Sequence, residues 1–289
     1  MIQTPFSLLR LLAVMAITVL FVTPSLHADL VGYWNFDDTF SDLSGQGNNG
    51  QLIGDPVYDG DVPAQLGSGK SMLFDGDDAV ILGNPAILNF GTGDFTISAW
   101  SKKDSSVDQR GNVYSNGGDN GGGIRSVLAI GEFIVHPQSV VLTLDDNSDK
   151  IQPRSGDPRG TGFDPINAPD DQWSHIIGMR AGNEARVYVN GVLADMVILP
   201  NGYDLSGQSQ LPAYIGVGAS ANSDPIGAFE KFYTGRIDDV SIWDTALSAN
   251  DISFLTAGGD VLSIPEPSSI GLLGLAILGF VARCRRTTR

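Results

Sequence analysis

The chain has 289 residues, of which 42% are hydrophobic and 17% charged, and its 33 acidic residues outnumber 17 basic ones for a formal net charge of -16. Such a negative surface repels phosphate backbones, so we exclude nucleic acid as a partner. The acidic residues comprise 29 Asp and only 4 Glu, and Asp is typical of turns and of sites for hard cations. A single cysteine, Cys284, excludes an intramolecular disulfide.

The first 28 residues have the organisation of a targeting segment. An apolar run from Leu8 to Val22 has Arg10 near its start and is followed by TPSLHA. The segment resembles a Sec signal peptide that is cleaved after Ala28. An uncleaved N-terminal anchor is the alternative. We therefore leave residues 1–28 out of the predicted fold.

Residues 29–260 have the pattern of one β domain without an internal linker or repeat. Short alternating segments are separated by Gly, Asn, Asp and Pro, as is typical of strands joined by turns. The predicted strands are Gly32–Phe36, Ser71–Phe74, Ala79–Leu82, Phe95–Trp100, Ser126–Ile130, Val140–Leu144, His175–Arg180, Arg186–Val189, Val192–Ala194, Tyr214–Val217 and Ile237–Trp243. Strands of this number and spacing predict an all-β, two-sheet antiparallel sandwich.

Two local features add detail to that domain. Asn190-Gly191 lies between two alternating runs and predicts a tight hairpin, because both central residues of the turn need positive φ. SANDISFLT (248–256) is the segment with a helical pattern, with Ser248 as its N-cap and Asp251 at its third helical position.

The last predicted strand carries an irregularity. In GRIDDVSIW, Ile237 and Val240 are both apolar but lie three residues apart, so strict alternation would expose one of them. A β-bulge at Asp238-Asp239 would direct both apolar residues to the core and turn a carboxylate sideways.

Four stretches, taken in order, resemble the laminin-G-like, concanavalin A-type jelly roll. They are YWNFDD with DLSGQGNNG (33–50), SMLFDGDDAVILG leading to FTISAW (71–100), QWSHIIGMR with ARVYVNG (172–191) and FYTGRIDDVSIWDTALSANDI (232–252). The resemblance implies two packed antiparallel sheets, often a structural calcium, and frequently glycan or matrix binding. Residues 104–170 match this family least well.

The C-terminal segment, 261–289, explains why the chain ends on a second apolar run. Ser268–Ala282 would span about 22 Å as a helix, less than the ~30 Å hydrocarbon core of a bilayer. The motif Pro265-Glu266-Pro267, this apolar run and an Arg cluster together resemble a PEP-CTERM sorting signal. The resemblance implies processing by an exosortase in a Gram-negative bacterium and transient residence in the inner membrane. A plain short tail anchor is the alternative.

The acidic residues of the first and last strands suggest a metal site. The resemblance implies that these strands lie together and that a calcium ion commonly joins them. We expect Asp42, Asn49 and Asp239 as ligands with Asp38 in reserve, since Ca²⁺ prefers carboxylate, amide and carbonyl oxygens. The alternative is that these residues form Asx turns and solvated charges. The DGDD of 75–78 lacks the final Glu of an EF-hand loop and predicts a hairpin turn.

The residue pattern does not favour catalysis. Glycosidases of this fold use two close carboxylates, but Glu132, Glu184 and Glu230 each lack an acidic neighbour in the required spacing. Lyases would need a His or Tyr with basic helpers, and His136 and His175 are the histidines of the mature domain. His175 lies in the framework stretch WSHI, so we expect a structural role for it.

Aromatic side chains are the remaining candidates for ligand contact, because sugar sites pair an exposed ring with polar groups. All four tryptophans fall in framework stretches and are expected in the core: Trp34, Trp100, Trp173 and Trp243. The expected ligand-binding residues are therefore the loop tyrosines Tyr58, Tyr114 and Tyr203.

These observations predict an exported, non-catalytic binding module of the cell surface or extracellular matrix. Its expected ligand is a polysaccharide or glycan, and calcium is its expected structural cofactor. A structural or adhesive matrix protein that contacts other proteins is the first alternative. A polysaccharide hydrolase or lyase is the second.

Overall fold

The computed structural model describes residues 29–83, 88–105, 124–130, 140–145, 150–153, 168–204, 213–219, 229–230 and 232–264. Ala28–Glu266 forms one compact unit. The expected signal peptide, Tyr114 and the motif Pro265-Glu266-Pro267 lie outside the described residues.

The regular secondary structure of the described residues consists almost entirely of strands. The first eight are β1 (Leu30–Trp34), β2 (Gln51–Ile53), β3 (Val57–Asp59), β4 (Ser71–Asp75), β5 (Ala79–Gly83), β6 (Phe95–Lys103), β7 (Ile124–Ile130) and β8 (Val140–Asp145). The others are β9 (Lys150–Pro153), β10 (Ser174–Ala181), β11 (Glu184–Val189), β12 (Val192–Ile198), β13 (Ala213–Ile215), β14 (Gly218–Ala219), β15 (Phe229–Glu230) and β16 (Thr234–Trp243). Helix α1 (Ala249–Thr256) and a 3-10 turn (Val261–Ser263) follow.

The strands form two antiparallel sheets, which confirms the predicted sandwich. Sheet A has the order β12-β11-β10-β6-β16-β4-β3, with β1 also paired to β16. Sheet B has the order β2-β5-β13-β7-β8-β9, and β14 pairs with β15 alone. Neighbours in space are often distant in sequence, as expected of a jelly roll.

Alternate side chains of both sheets pack into one core. Trp34, Phe74 and Tyr233 are fully buried there, and the rings of Phe74 and Tyr233 meet edge to face at 6.2 Å. Burying a large apolar side chain contributes about 1.5–3 kcal/mol, so this central cluster dominates the stability of the sandwich.

β16 contains the predicted bulge. Its pairing with β6 shifts register between Asp238 and Ser241, and Asp239 takes a positive φ of 46°. Ile237 and Val240 are consequently both fully buried in the core. The bulge therefore directs two apolar residues that are three positions apart to the same side of the sheet, as predicted from the sequence.

Helix α1 covers part of the outer face of sheet A. Its Ile252 and Leu255 pack against Ile177, Met179 and Trp243 of the sheet in a second apolar cluster. The helix begins with the predicted capping box of Ser248 and Asp251. The sequence therefore predicted both the helix and its start.

The β11–β12 connection is the predicted tight hairpin. Asn190 and Gly191 have φ values of 49° and 77°, the positive pair that such a turn requires. Asn190 also accepts the His175 N–H with its side-chain oxygen at 2.9 Å and donates its own N–H to the His175 carbonyl at 2.8 Å. The turn is thus attached to β10.

A buried arginine fastens the loops at one end of sheet A. Arg180 is 4% exposed and donates to the carbonyls of Gly182 at 3.0 Å, Gly91 at 3.2 Å and Tyr203 at 2.8 Å. One guanidinium group therefore ties three separate segments together.

Candidate functional site

The loop after β1 is organised by Asp42. Its carboxylate accepts the backbone N–H groups of Tyr33 at 3.0 Å, Ser44 at 2.9 Å and Asn48 at 2.9 Å. Asn49 accepts the Asp42 N–H with its side-chain oxygen at 3.0 Å. The structure thus brings Asp42 and Asn49 together as parts of a hydrogen-bonded loop, in the manner of Asx turns.

Asp239 lies beside β1 in a concentration of negative charge. The Tyr33 hydroxyl donates to Asp239 Oδ1 at 2.6 Å. Burial raises the pKa of Asp239 to about 6 against the lowering effect of that hydrogen bond, and the charges of Asp37 and Asp260 raise it further. Burial and the charge of Asp239 raise the pKa of Asp238 to about 9. A cation would relieve this repulsion.

Asp38 stands apart from this group. Its carboxylate accepts from Lys70 Nζ at 2.5 Å in a largely exposed ion pair. Among the described residues, the carboxylates of Asp38, Asp42 and Asp239 do not form a group with oxygens within 4.8 Å of one another. Of the expected ligands, Asp239 is therefore the one whose surroundings favour a cation.

The described residues do contain one close carboxylate group, formed by Asp55, Asp77 and Asp78. Asp78 is buried and accepts the backbone N–H groups of Asp55 at 2.8 Å and Asp75 at 3.0 Å, so it organises the chain around it. The predicted hairpin turn at 75–78 is wrong. β4 belongs to sheet A and β5 to sheet B, so this segment crosses between the sheets.

Two of the three expected ligand-binding tyrosines lie in the described residues. Tyr58 is on β3 and Tyr203 follows β12, and both are partly buried against the main core. Burial raises the pKa of Tyr203 to about 12. Both rings thus use part of their surface in packing, and Tyr114 lies outside the described residues.

Trp173 differs from the other three tryptophans. Trp34, Trp100 and Trp243 are buried as expected, whereas Trp173 is only partly buried. Its indole N–H donates to Asp61 Oδ1 at 2.9 Å. The expectation that all four rings belong to the core is therefore corrected for Trp173.

The Trp173 ring adjoins a network of ion pairs. Asp61 Oδ2 accepts from Lys102 Nζ at 2.6 Å, and Asp59 Oδ2 accepts from Arg236 at 2.9 Å. Burial alone would raise the pKa of Asp61, but hydrogen bonds from Lys102 and Trp173 lower it below the usual range. A fixed aromatic ring beside several donors and acceptors is the combination that sugar sites use.

Sequence reasoning missed this site because its members come from distant segments. Asp61 follows β3, Lys102 lies near the end of β6 and Arg236 lies early in β16. Only Trp173 carried a usable signal: it precedes the predicted strand His175–Arg180, whereas the other three tryptophans lie within predicted strands.

His175 itself is structural. It is 2% exposed, its ring stacks on Trp100 at 4.8 Å, and burial lowers its pKa to about 3. Thr256 donates its hydroxyl proton to the Ile252 carbonyl, so His175 Nδ1 must donate to Thr256 Oγ1 at 2.8 Å. Nε2 then accepts from Ser98 Oγ at 2.7 Å, and the imidazole is neutral.

Comparisons with known families support both resemblances inferred from the sequence. A family model described as the concanavalin A-like lectin/glucanases superfamily matches residues 74–253. The PEP-CTERM protein-sorting motif matches residues 263–286 and indicates export and membrane-anchored sorting in Gram-negative bacteria. No curated protein matches the chain. The helices in the part of the chain that the structure describes lack the length and apolar character of a membrane span.

Solved structures share the fold at low identity. Domain 4 of an extracellular arabinanase from Geobacillus stearothermophilus, in complex with arabinotriose, is 19% identical with a TM-score of 0.50 over 80% of this chain and 99% of that one. The binding domain of Paraclostridial Mosquitocidal Protein 1 is 18% identical with a TM-score of 0.53 over 79% of this chain and 52% of that one. A botulinum neurotoxin type C structure is 17% identical with a TM-score of 0.52 over 79% of this chain and 51% of that one. The match thus spans about half of each toxin chain.

Proposed function

The chain belongs to the concanavalin A-like lectin/glucanases superfamily, and we propose that it is an exported, non-catalytic module that binds carbohydrate at the cell surface or in the extracellular matrix. The superfamily contains both lectins and glucanases, so the assignment depends on the residues of this chain rather than on the fold.

One observation carries the proposal: Trp173 is a partly buried ring held in place by Asp61 at 2.9 Å. A pyranose ring packs its C–H face on an aromatic ring, and its hydroxyls need donors and acceptors at the edge of that ring. Lys102 and Arg236 supply donors, and Asp61 supplies an acceptor. Tyr203 remains a candidate for a secondary contact, whereas Tyr58 packs on the core side of its strand and is a candidate for a separate contact.

Similar structures support the proposal without identifying a ligand. The arabinanase domain was solved with arabinotriose, and the type C neurotoxin depends on two ganglioside molecules to enter cells. The match covers nearly all of the arabinanase domain that was solved with a saccharide, and about half of the neurotoxin chain.

The proposed location follows from the sorting motif. After export through the expected signal peptide at 1–28, the segment at 263–286 would hold the chain in the inner membrane until an exosortase processes it. The mature domain would then act on the outer side of the cell, in contact with polysaccharide.

Calcium is proposed as a structural cofactor near Asp239. The residues fit in part: Asp239 lies among like charges, whereas Asp42 already accepts three N–H groups. The ion would join β1 to β16 by neutralising these carboxylates. We expect calcium to raise the melting temperature and Asp239→Asn, which tolerates the positive φ, to abolish the gain. A melting curve indifferent to both chelator and substitution would remove the metal from the proposal.

The proposed function is tested on a glycan and polysaccharide array with the full chain in detergent, first with calcium and then with chelator. Binding to a defined glycan class is the expected result, and its loss with chelator would make the metal part of the site. Silence across the array from folded protein would refute carbohydrate binding.

One observation favours the adhesive alternative. The edge strand β12 exposes 68% of Val192 and 58% of Ile198, and Asp195 is its one charged residue. Apolar edge strands are prone to pair with another chain. Replacing Trp173, Tyr58 and Tyr203 by Ala should abolish sugar binding but leave a protein contact through β12 intact.

A further inference from the structure

A row of side chains crosses four strands of sheet A beside Trp173. Lys102 of β6 lies opposite Arg236 of β16, which lies opposite Leu73 of β4, which lies opposite Val57 of β3. Directly opposed residues point to the same face of a sheet, so these four form one cross-strand row. Val57 is 57% exposed, and the other three are partly buried.

The two cations of the cross-strand row, Lys102 and Arg236, are paired with carboxylates that lie outside the row. Lys102 pairs with Asp61 at 2.6 Å, and Arg236 pairs with Asp59 at 2.9 Å. Arg236 Nε also lies 3.7 Å from Asp61. Two cations are thus balanced by two anions on a chain with a formal charge of -16. An acidic sugar would find no excess of positive charge here.

These ion pairs leave hydrogen-bonding capacity for hydroxyl groups. An ammonium group has three donors, a guanidinium five and a carboxylate about four acceptor sites. Lys102 uses one donor on Asp61, so sugar hydroxyls can bind without breaking the pair. The Asp61 carboxylate also fixes the orientation of the Trp173 ring.

We propose that Trp173 and the cross-strand row form the carbohydrate site, and that it takes a segment of neutral polysaccharide. One sugar ring stacks on Trp173, and the segment continues over Leu73 to Val57. From β10 to β3 there are four inter-strand spacings, about 19 Å in all, so the surface accommodates more than one sugar ring. This inference rests on the proposed function and names the ligand class of that same site.

The test compares neutral and acidic polysaccharides, long and short, at low and high salt, using the full chain and three variants. Trp173→Ala removes the stacking ring, and we expect at least about tenfold weaker binding of neutral chains. Val57→Glu places a charge at the far end of the row and should weaken the binding of long polysaccharides more than the binding of short ones. Phe254→Ala, the control, removes an aromatic ring that is 42% exposed on α1 and should change nothing.

Each outcome decides between the two proposals. The inference is supported if neutral polysaccharide binds tightly, if salt does not change this binding, and if the Trp173 variant loses it. Preference for an acidic glycan with strong salt dependence, or equal binding by all variants, overturns it while the proposed function stands. Binding of no glycan by folded protein overturns both. If Trp173→Ala does not fold in a thermal scan, the exposed Val57 variant carries the test.

Discussion

Mild acid should weaken the contact between α1 and sheet A through His175. Its imidazole is buried and neutral, with Nδ1 donating to Thr256 of the helix and Nε2 accepting from Ser98 of β6. Protonation would place a charge in a site to which no described residue contributes a carboxylate partner. We therefore expect the folded protein to resist taking up this proton.

The size of the effect follows from linkage. The pKa of His175 is about 3 in the folded protein and about 6.5 in an unfolded chain. Because the unfolded chain binds the proton first, this contribution to stability is complete above pH 6.5 and is lost progressively down to about pH 3. At about pH 5 the loss amounts to about 2 kcal/mol of unfolding free energy.

Urea unfolding near neutral pH and near pH 5 measures this loss in the wild type and in His175→Gln. The variant lacks the titrating group, so its stability should fall by about 2 kcal/mol less between the two pH values. All other titrating groups are common to both proteins and cancel in the comparison. Equal pH dependence in the two proteins would refute the reasoning.

Two further substitutions test the frame around the site by urea unfolding. Arg180→Met leaves three backbone carbonyls without their donor and should lower the free energy of unfolding by about 3 kcal/mol or more. The control, Arg186→Met, breaks a partly exposed ion pair within one strand and should lower it by about 1 kcal/mol or less. Similar losses for both variants would contradict a clamping role for Arg180. Ser248→Ala removes the N-cap of α1 and should cost about 1 kcal/mol, against little change for the exposed helix residue Ser253→Ala.

Much of the fold could be predicted from the sequence where a local rule applied. The three-residue spacing of Ile237 and Val240 predicted the bulge, and Asn190-Gly191 predicted the hairpin. β2 and β3 were missed because they are three-residue strands whose pairing partners, rather than their own pattern, define them. Strand pairing is a long-range property that local periodicity does not contain.

The candidate site was less accessible to sequence reasoning. Trp173 precedes β10, and its hydrogen bond to Asp61 joins two segments that lie 112 residues apart in the sequence. The four-strand register that aligns Lys102 with Val57 is equally invisible in the sequence. The first strand was predicted at Gly32–Phe36 but lies at Leu30–Trp34. It ends before Phe36 because the φ of Phe36, 53°, is incompatible with a strand.

The position of β16 governs when the chain can fold. β16 is among the last elements to be synthesised, yet it lies between β6 and β4 and also holds β1. A chain that leaves a translocation channel N-terminus first therefore keeps the centre of sheet A open until Trp243 has emerged. Such long-range pairing slows folding and keeps the polypeptide extended, the form in which it passes a narrow channel. Because the sorting motif at 263–286 follows β16 closely, we expect the domain to complete its fold only after nearly the whole chain has been exported.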